Sequence, residues 1–457
     1  MPILHPWNSD RPIDILETFF WKADAEAGTA IDLSTGATGT SHRFEVIGNL
    51  SLTALKAGSR WLLVSEYGDT YVLEAIPASD SDPGKLRVSD TSIRAVSVAA
   101  SIAATFGGQV GVGISGAGAF ARNVILSDTR AFIEGSPIVS SGNVALDAAS
   151  TATIASTVVA ASLAVGIGGG AAGVGVSIGV GIALNDIEGV IDAYIANSSV
   201  DAAGDLTLHA AGDQDISSVV AAASVAVAVS GTVGVGVSGA GVFAGNEIVT
   251  DVKAYIEGDF TTGDGIGIKA NSITLSAIDS SRISAVAASA SVAAAFGIGA
   301  TGVAVSIGVG VAHNTITANV AAYITRVADG VESTAGDVIL IATGNASISA
   351  VAVAASIAFG GGFVGVDVSG GGADAHNVIL STIDAYIDSS NVIAADDVSL
   401  TASNTADIYA IVVAATASVA GGFVGVGVSL GSSTASNLIG ETSSPARVRA
   451  WISDSDV

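Results

Sequence analysis

The sequence predicts an all-β protein, an elongated β-solenoid of about six repeats of about 62 residues, preceded by a small N-terminal β cap. A motif recurs in constant phase along residues 86–457, and apolar and small residues alternate strictly within it. Gly contributes 57 residues and aromatics only 5% of the chain. Because cores of this size are normally filled by Leu, Phe and Met, small residues on this scale indicate thin, closely packed sheets instead.

The repeated motif is a Ser, an Asn eight residues later and an aromatic residue nine residues after that. The Ser positions are Ser115, Ser177, Ser238, Ser306, Ser369 and Ser429. The Asn positions are Asn123, Asn185, Asn246, Asn314, Asn377 and Asn437. The aromatic positions are Phe132, Tyr194, Tyr255, Tyr323, Tyr386 and Trp451, and Trp451 comes fourteen residues after its Asn, which predicts an insertion of about five residues within 440–447. The copies lie near 86–150, 151–212, 213–279, 280–344, 345–403 and 404–457, the last incomplete.

Each copy is predicted to contain four strands. The first is an Ala/Ser/Val run such as 348–359, which ends at a glycine-rich break. The second alternates Val or Ile with Gly, Ser or Ala, as in 173–184, and this period of two is that of a strand. The third carries the aromatic residue, as in 190–195, and a Ser/Asp/Gly turn leads to a short fourth strand such as 205–210. Strands of 10–14 residues are expected.

Stacked copies would place identical residues above one another. We therefore expect Asn, Ser and aromatic ladders, with the Asn ladder at a turn, because stacked amides satisfy one another along the stacking axis. A plain left-handed turn residue is the alternative for these Asn and is compatible with a ladder. The Gly/Ala/Ser face is expected to let a second sheet approach more closely than the usual ~10 Å.

The two ends of the chain carry separate expectations. Residues 1–85 are richer in aromatic and basic residues, and 58–75 reads as two strands around a turn, so this segment is predicted to be an end cap or a partner-binding module. The sixth copy stops before its fourth strand. Open rungs attract another strand, so either the array is longer or copies add end to end.

Two membrane architectures compete with this interpretation. Residues 148–185 carry no charge and are long enough for a transmembrane helix, but their period of two and their Gly content oppose a helix. An outer-membrane β-barrel channel or translocator remains the alternative function, although the aromatic residues do not form two girdles and the small-residue face does not suit a wet lumen. A membrane is therefore not expected as a partner.

Charge and composition exclude further classes. The net charge is −26, which opposes binding to nucleic acid or to anionic lipid. The absence of Cys suits an exported bacterial protein, although chance loss explains it nearly as well. No signal peptide is apparent in 1–22, so an export signal is expected elsewhere.

No catalytic site is predicted, and we expect no enzyme activity. The G-x-G-x-x-G patterns at 111–116 and 234–239 lie within alternating strands, with no helix after them. His313 and His376 share a repeat position and would stack, although other copies place unrelated residues there. The sequence therefore leaves undecided whether a metal binds at this position. Turn carboxylates such as Asp201, Asp205 and those at 80–84, 396–397 and 454–456 are either solvated or bridged weakly by Ca²⁺, the one cofactor considered. A carbohydrate-binding or carbohydrate-cleaving solenoid is a second alternative.

The Ala-Tyr-Ile segments, the Gly-Asp-Val/Leu-x-Leu-x-Ala strand and the acidic, Cys-free composition resemble repeat arrays of giant secreted bacterial surface proteins, such as filamentous-haemagglutinin-like adhesins. The resemblance covers 86–457 and rests on composition and architecture. It implies an extracellular structural or adhesive protein of a surface fibre, stalk or biofilm matrix, with self-assembly and cell-surface or carbohydrate targets. It transfers no binding residue.

Overall fold

The computed structural model describes residues 91–258 and 267–457 in full, and only the backbone of strand segments before residue 91. All regular structure in the described residues is β, as the sequence predicts. Among these residues no helix is long and apolar enough to cross a membrane.

The N-terminal strands are short and mostly antiparallel. They are β1 (Ile3–Pro6), β2 (Phe19–Ala23), β3 (Ala30–Ser34), β4 (Ser41–Ile47), β5 (Arg60–Val64) and β6 (Thr70–Ile76). β5 and β6 pair antiparallel, which confirms the two strands predicted in 58–75. β6 also pairs antiparallel with the first long strand, β7 (Lys85–Gly107), and β3 pairs with it in parallel.

The remaining strands form three parallel sheets. The leading sheet consists of β7, β10 (Val144–Gly168), β13 (Leu206–Ser230), β16 (Ile273–Asp279) with the first half of β17 (Arg282–Thr325), β19 (Val338–Gly344) with the first half of β20 (Ser347–Asp388), and β22 (Val398–Asn404) with β23 (Asp407–Gly421). The returning sheet consists of β8 (Val110–Glu134), β11 (Ala172–Ala196), β14 (Val233–Glu257), the second halves of β17 and β20, and β24 (Val424–Ile439) with β25 (Arg447–Ser453). The short sheet consists of β9 (Pro137–Ser140), β12 (Ser199–Ala202), β15 (Ile268–Ala270), β18 (Val331–Ser333) and β21 (Val392–Ile393).

The strands are longer than the 10–14 residues expected. The predicted second and third strands are one strand, as in β11, which has 25 residues. The predicted fourth strand is the start of the next leading strand, as in β13. Polar segments such as 211–215 stay extended because β10 pairs with the whole segment in register and β16 and β17 pair with its two ends. The short sheet was not predicted.

Each strand pairs with the strand at the same position in the next repeat, so one repeat makes one coil. The arrangement is compatible with a β-solenoid. A 25-residue strand extends about 80 Å, whereas six strands spaced by ~4.8 Å rise only about 24 Å. The described stack is therefore broader than it is tall, and the elongated shape expected from the sequence would need more coils.

Each coil has a body and a thinner part. In the body all three sheets enclose a core of large apolar residues, including Ile191, Ile195, Leu206 and Leu208. In the thinner part, which we call the blade, only the leading and returning sheets remain and they meet through Gly, Ala and Ser. The blade comprises residues 96–119, 157–181, 219–242, 286–310, 351–373 and 411–433.

The blade is thin because its inward positions have almost no side chains. In β11 the buried positions include Gly173, Gly175, Ser177 and Gly179, whereas Val and Ile point outward. At Gly173 and Gly175 a Cβ atom would lie 2.3 Å and 2.5 Å from backbone carbonyl oxygens of the opposite sheet. The two backbones are thus in direct contact, closer than sheets separated by ordinary side chains.

Candidate functional site

A continuous amide ladder crosses the returning sheet. Each Asn Nδ2 donates to the Oδ1 of the Asn in the next coil, at 2.7–2.8 Å. The ladder joins Asn123, Asn185, Asn246, Asn314, Asn377 and Asn437. It lies in the middle of the long strand rather than at the expected turn, because the strand continues past it. All but the last of these side chains are buried, so each amide relies on its neighbours for hydrogen bonds.

The Ser residues form a zigzag rather than the simple stack expected. Ser177 Oγ donates to Ser162 Oγ across the sheets at 2.8 Å, and Ser224 Oγ donates to Ser177 Oγ from the next coil at 2.9 Å. Hydroxyls thus alternate between sheets along Ser101, Ser115, Ser162, Ser177, Ser224, Ser238, Ser291 and Ser306. In the last two coils, Ser369 bonds to Ser356 and Ser429 bonds to Thr416. The zigzag joins the two sheets inside the blade.

The aromatic residues form one stack on the outer face of the body. Successive ring centroids are 4.5–5.1 Å apart and the planes are within 8° of parallel, from Phe132 through Tyr194, Tyr255, Tyr323 and Tyr386 to Trp451. Trp451 stays in the stack because the extra residues of its copy lie between β24 and β25. There, the seven residues 440–446 correspond to only two residues of β20, which confirms the five-residue insertion. The ring faces cover one another, so a sugar ring has no free aromatic face within the stack.

Charged side chains flank the aromatic stack and alternate in sign, except that Ala321 separates Lys253 from Asp384. Arg130 Nε donates to Asp192 Oδ2 at 3.2 Å, and Arg449 binds Asp384 through two hydrogen bonds of 2.8 and 2.7 Å. Lys253 lies in register with Asp192. These opposite charges lie beside one another only when the strands pair in the observed register, so they favour that register.

The four tyrosines of the stack make stability sensitive to alkaline pH. Burial raises the pKa of Tyr194, Tyr255, Tyr323 and Tyr386 above that of a free phenol. Above about pH 10 the unfolded chain releases phenolic protons that the folded chain retains, so stability is fully present below that pH and falls above it. We expect the thermal midpoint to fall above about pH 10, and replacing all four by Phe should flatten that fall.

Phe132 already occupies one level of the stack, so Phe fits the site. The control is Tyr409→Phe, because Tyr409 is 57% exposed. Circular dichroism melts between about pH 8 and 12 measure both variants. Equal pH profiles for the fourfold variant and the unchanged chain would contradict the role of the stack.

A surface cavity of about 330 Å³ lies where the blade meets the body. Arg122, Asp186, Glu247 and His313 contribute polar groups to it, and Gly245 leaves the gap between Leu184 and His313 in the outward row. The His313 and His376 rings meet edge to face at 5.7 Å, and His313 Nε2 lies 3.2 Å from Asp374 Oδ2. Among the fully described residues, no three His, Asp or Glu side chains come together in a way that could hold a metal ion.

Turn carboxylates accept hydrogen bonds from the next coil. Asp205 Oδ1 accepts from Ser272 Oγ at 2.8 Å and Asn271 Nδ2 at 3.1 Å, and these bonds lower the pKa of Asp205. Asp337 Oδ1 accepts from the backbone N–H of Asp397 at 3.0 Å. The carboxylates predicted at 80–84 lie outside the described residues. Both G-x-G-x-x-G segments lie within β8 and β14, in line with the strand interpretation.

Comparison of the chain with family models, with curated proteins and with solved structures finds no match.

The feature that sequence reasoning missed is the outward orientation of the apolar rows. The alternation of residues predicted that each strand has two unlike faces, and the sequence also showed the uncharged run 148–185. Periodicity does not tell which face the second sheet covers, and the structure places Gly, Ala and Ser inside with Val and Ile outside.

Proposed function

We propose that the chain is a structural segment of an extracellular surface fibre or stalk, built from about six stacked copies and capped at one end by residues 1–85. In-register stacking is the observation that carries the proposal. The amide ladder, the hydroxyl zigzag and the aromatic stack all continue from coil to coil, and each coil presents the same pattern to the next.

Backbone ladders across 25-residue strands would resist separation of the coils, since a whole row of hydrogen bonds must break together. The pairing of β6 and β3 with β7 supports a capping role for the first segment, because it covers part of an otherwise open edge. The surplus of carboxylates, with a net charge of −26, would keep such an assembly dispersed.

In the strands that the structure describes, residues 1–85 pair with β7 only along its first part, Lys85–Thr91, so the blade part of β7 keeps an edge to which another copy can add. Growth by addition of rungs therefore predicts filaments from the purified chain. Negative-stain microscopy should show them, and aligned samples should diffract at about 4.7–4.8 Å along the fibre axis. Gly431→Lys places a charge on the inward face of the edge strand β24, which opposes strand addition, so we expect filaments to be lost.

Leu430→Lys is the matched control, because the adjacent side chain points outward and is 68% exposed. It should leave filament formation unchanged. Discrete particles from the unchanged chain, or equal assembly of both variants, would overturn the proposal.

A further inference from the structure

The outer surface of the blade is apolar on both sheets. In inner coils Ile178, Ile307 and Phe296 are 52%, 51% and 44% exposed, and Val309 and Val219 are each 40% exposed. Asp367 is the one charged residue in the blade, and it points between the sheets with no exposed surface. Apolar surfaces of this extent mark an interaction site rather than ordinary exposure.

The tip of the blade is uncharged as well, and its backbone is hydrogen-bonded between coils. Gly169 N–H donates to Gly107 O at 2.8 Å, Gly299 N–H to Gly231 O at 2.8 Å, and Phe423 N–H to Phe363 O at 3.0 Å. The rings of Phe363 and Phe423 stack at 5.2 Å. Between the first and last coils, pairing thus meets the requirement that backbone in hydrocarbon be satisfied within the protein.

Charge begins where the blade joins the body, on both sheets. On the leading sheet the first outward charges are Arg94, Asp215 and Arg282, and on the returning sheet Asp374, Arg122 and Asp186 lie at this boundary. From this boundary to the tip each strand runs 10–12 residues, as in 157–168 and 172–181, or about 33–40 Å. The hydrocarbon core of a bilayer is about 30 Å thick, and membrane-spanning strands use about 9–11 residues.

We propose that the blade inserts tip first into the hydrocarbon core of a lipid bilayer, with the charged body at the headgroups. A second copy stacked on one sheet would cover one face only, whereas lipid covers both faces and the tip. The uncharged outer surface of the blade complements hydrocarbon, and the boundary residues of both signs complement zwitterionic headgroups. On sequence grounds a membrane is not expected as a partner, because a transmembrane helix, a β-barrel and binding to anionic lipid are each disfavoured. Insertion of the blade differs from all three.

This inference goes beyond a structural fibre, and it depends on the proposed stacking in one respect only. The edge strands of the blade need a neighbouring coil, because unpaired backbone is costly in lipid. Filament formation and vesicle binding are therefore measured separately. Flotation without filaments would retain this inference and reject the fibre, and filaments without flotation would do the reverse.

The test uses the natural absence of Cys, so that a single introduced Cys carries the only label. Ile178→Cys places an environment-sensitive fluorophore on the blade, and Glu188→Cys places it on the body, on the outward face of the same strand. With phosphatidylcholine vesicles, we expect the protein to float, and we expect a blue shift and protection from dithionite for the label at 178 only. Absence of flotation, equal responses of both labels, or the same protection of position 178 without vesicles would overturn the proposal.

A second pair of variants tests the same surface. Val180→Lys puts a charge in the middle of the blade, and Val190→Lys puts one on the body, where Asp128 and Asp251 are its partners in register. We expect Val180→Lys to weaken vesicle binding at least about tenfold and Val190→Lys to leave it unchanged, with circular dichroism confirming that both fold. Equal vesicle binding by the two folded variants would contradict insertion.

Discussion

Replacing Gly175 by alanine should cause a large loss of stability, although it adds only one methyl group to the blade. The new Cβ would lie 2.5 Å from the carbonyl oxygen of Val227, which belongs to the opposite backbone and cannot rotate away. The two sheets must separate locally, and overpacking of this kind costs about 1–3 kcal/mol or more. Urea unfolding followed by circular dichroism should show a clearly lower midpoint.

Gly241→Ala is the matched control for this prediction. Gly241 lies on the outward face of β14, where an added Cβ would meet no atom within 4 Å. Removing a strand glycine there should leave stability unchanged or raise it by about 0.5–1 kcal/mol. If both variants unfold at the same urea concentration, close contact between the sheets is not what requires glycine at position 175.

Replacing Asn246 by leucine should interrupt the amide ladder and destabilise the protein by a similar or larger amount. Asn246 accepts from Asn185 and donates to Asn314, each at 2.7 Å. Leucine leaves one buried donor and one buried acceptor without partners, at about 1–3 kcal/mol each, so the total is about 2–6 kcal/mol. Thermal or urea unfolding measures the loss.

The control for the ladder is Asn319→Leu in the neighbouring coil. Asn319 is exposed on the outer face of the returning sheet, so the same substitution should change stability by about 0.5 kcal/mol or less. Hydrogen exchange adds a local measurement, because amides of the coils around Asn246 should lose protection first in the ladder variant. Similar losses for both variants would show that the amide ladder does not stabilise the stack.

Much of the fold could be predicted because a repeat that keeps its phase constrains strand pairing directly. Asn185 and Asn246 occupy the same position in adjacent copies, and parallel in-register pairing brings such positions together. Strand ends were predicted less well. The Gly and Asp residues of 211–215 favour a turn locally, but pairing along the whole segment with β10, and at its ends with β16 and β17, holds them extended.

The candidate sites divide in the same way. The aromatic stack and the amide ladder use one residue type per copy, so sequence spacing alone groups them. The hydroxyl zigzag joins Ser162 to Ser177 across a hairpin and then Ser177 to Ser224 in the next coil. The set that includes Ser177 was predicted as a repeat position, but its alternation with Ser162 and Ser224 depends on how closely the two sheets approach.

The sequence by itself determined that this protein is β-structured, that its copies stack in register, and that one face of each strand is made of small residues, because periodicity and repeat spacing are properties of the chain. Only the tertiary structure decided that the small face lies inside, that strands continue through polar segments, and that Val and Ile rows form an apolar blade set against a charged body. The reason is physical: an alternating strand offers two faces, and which of them is buried depends on the sheet that packs against it.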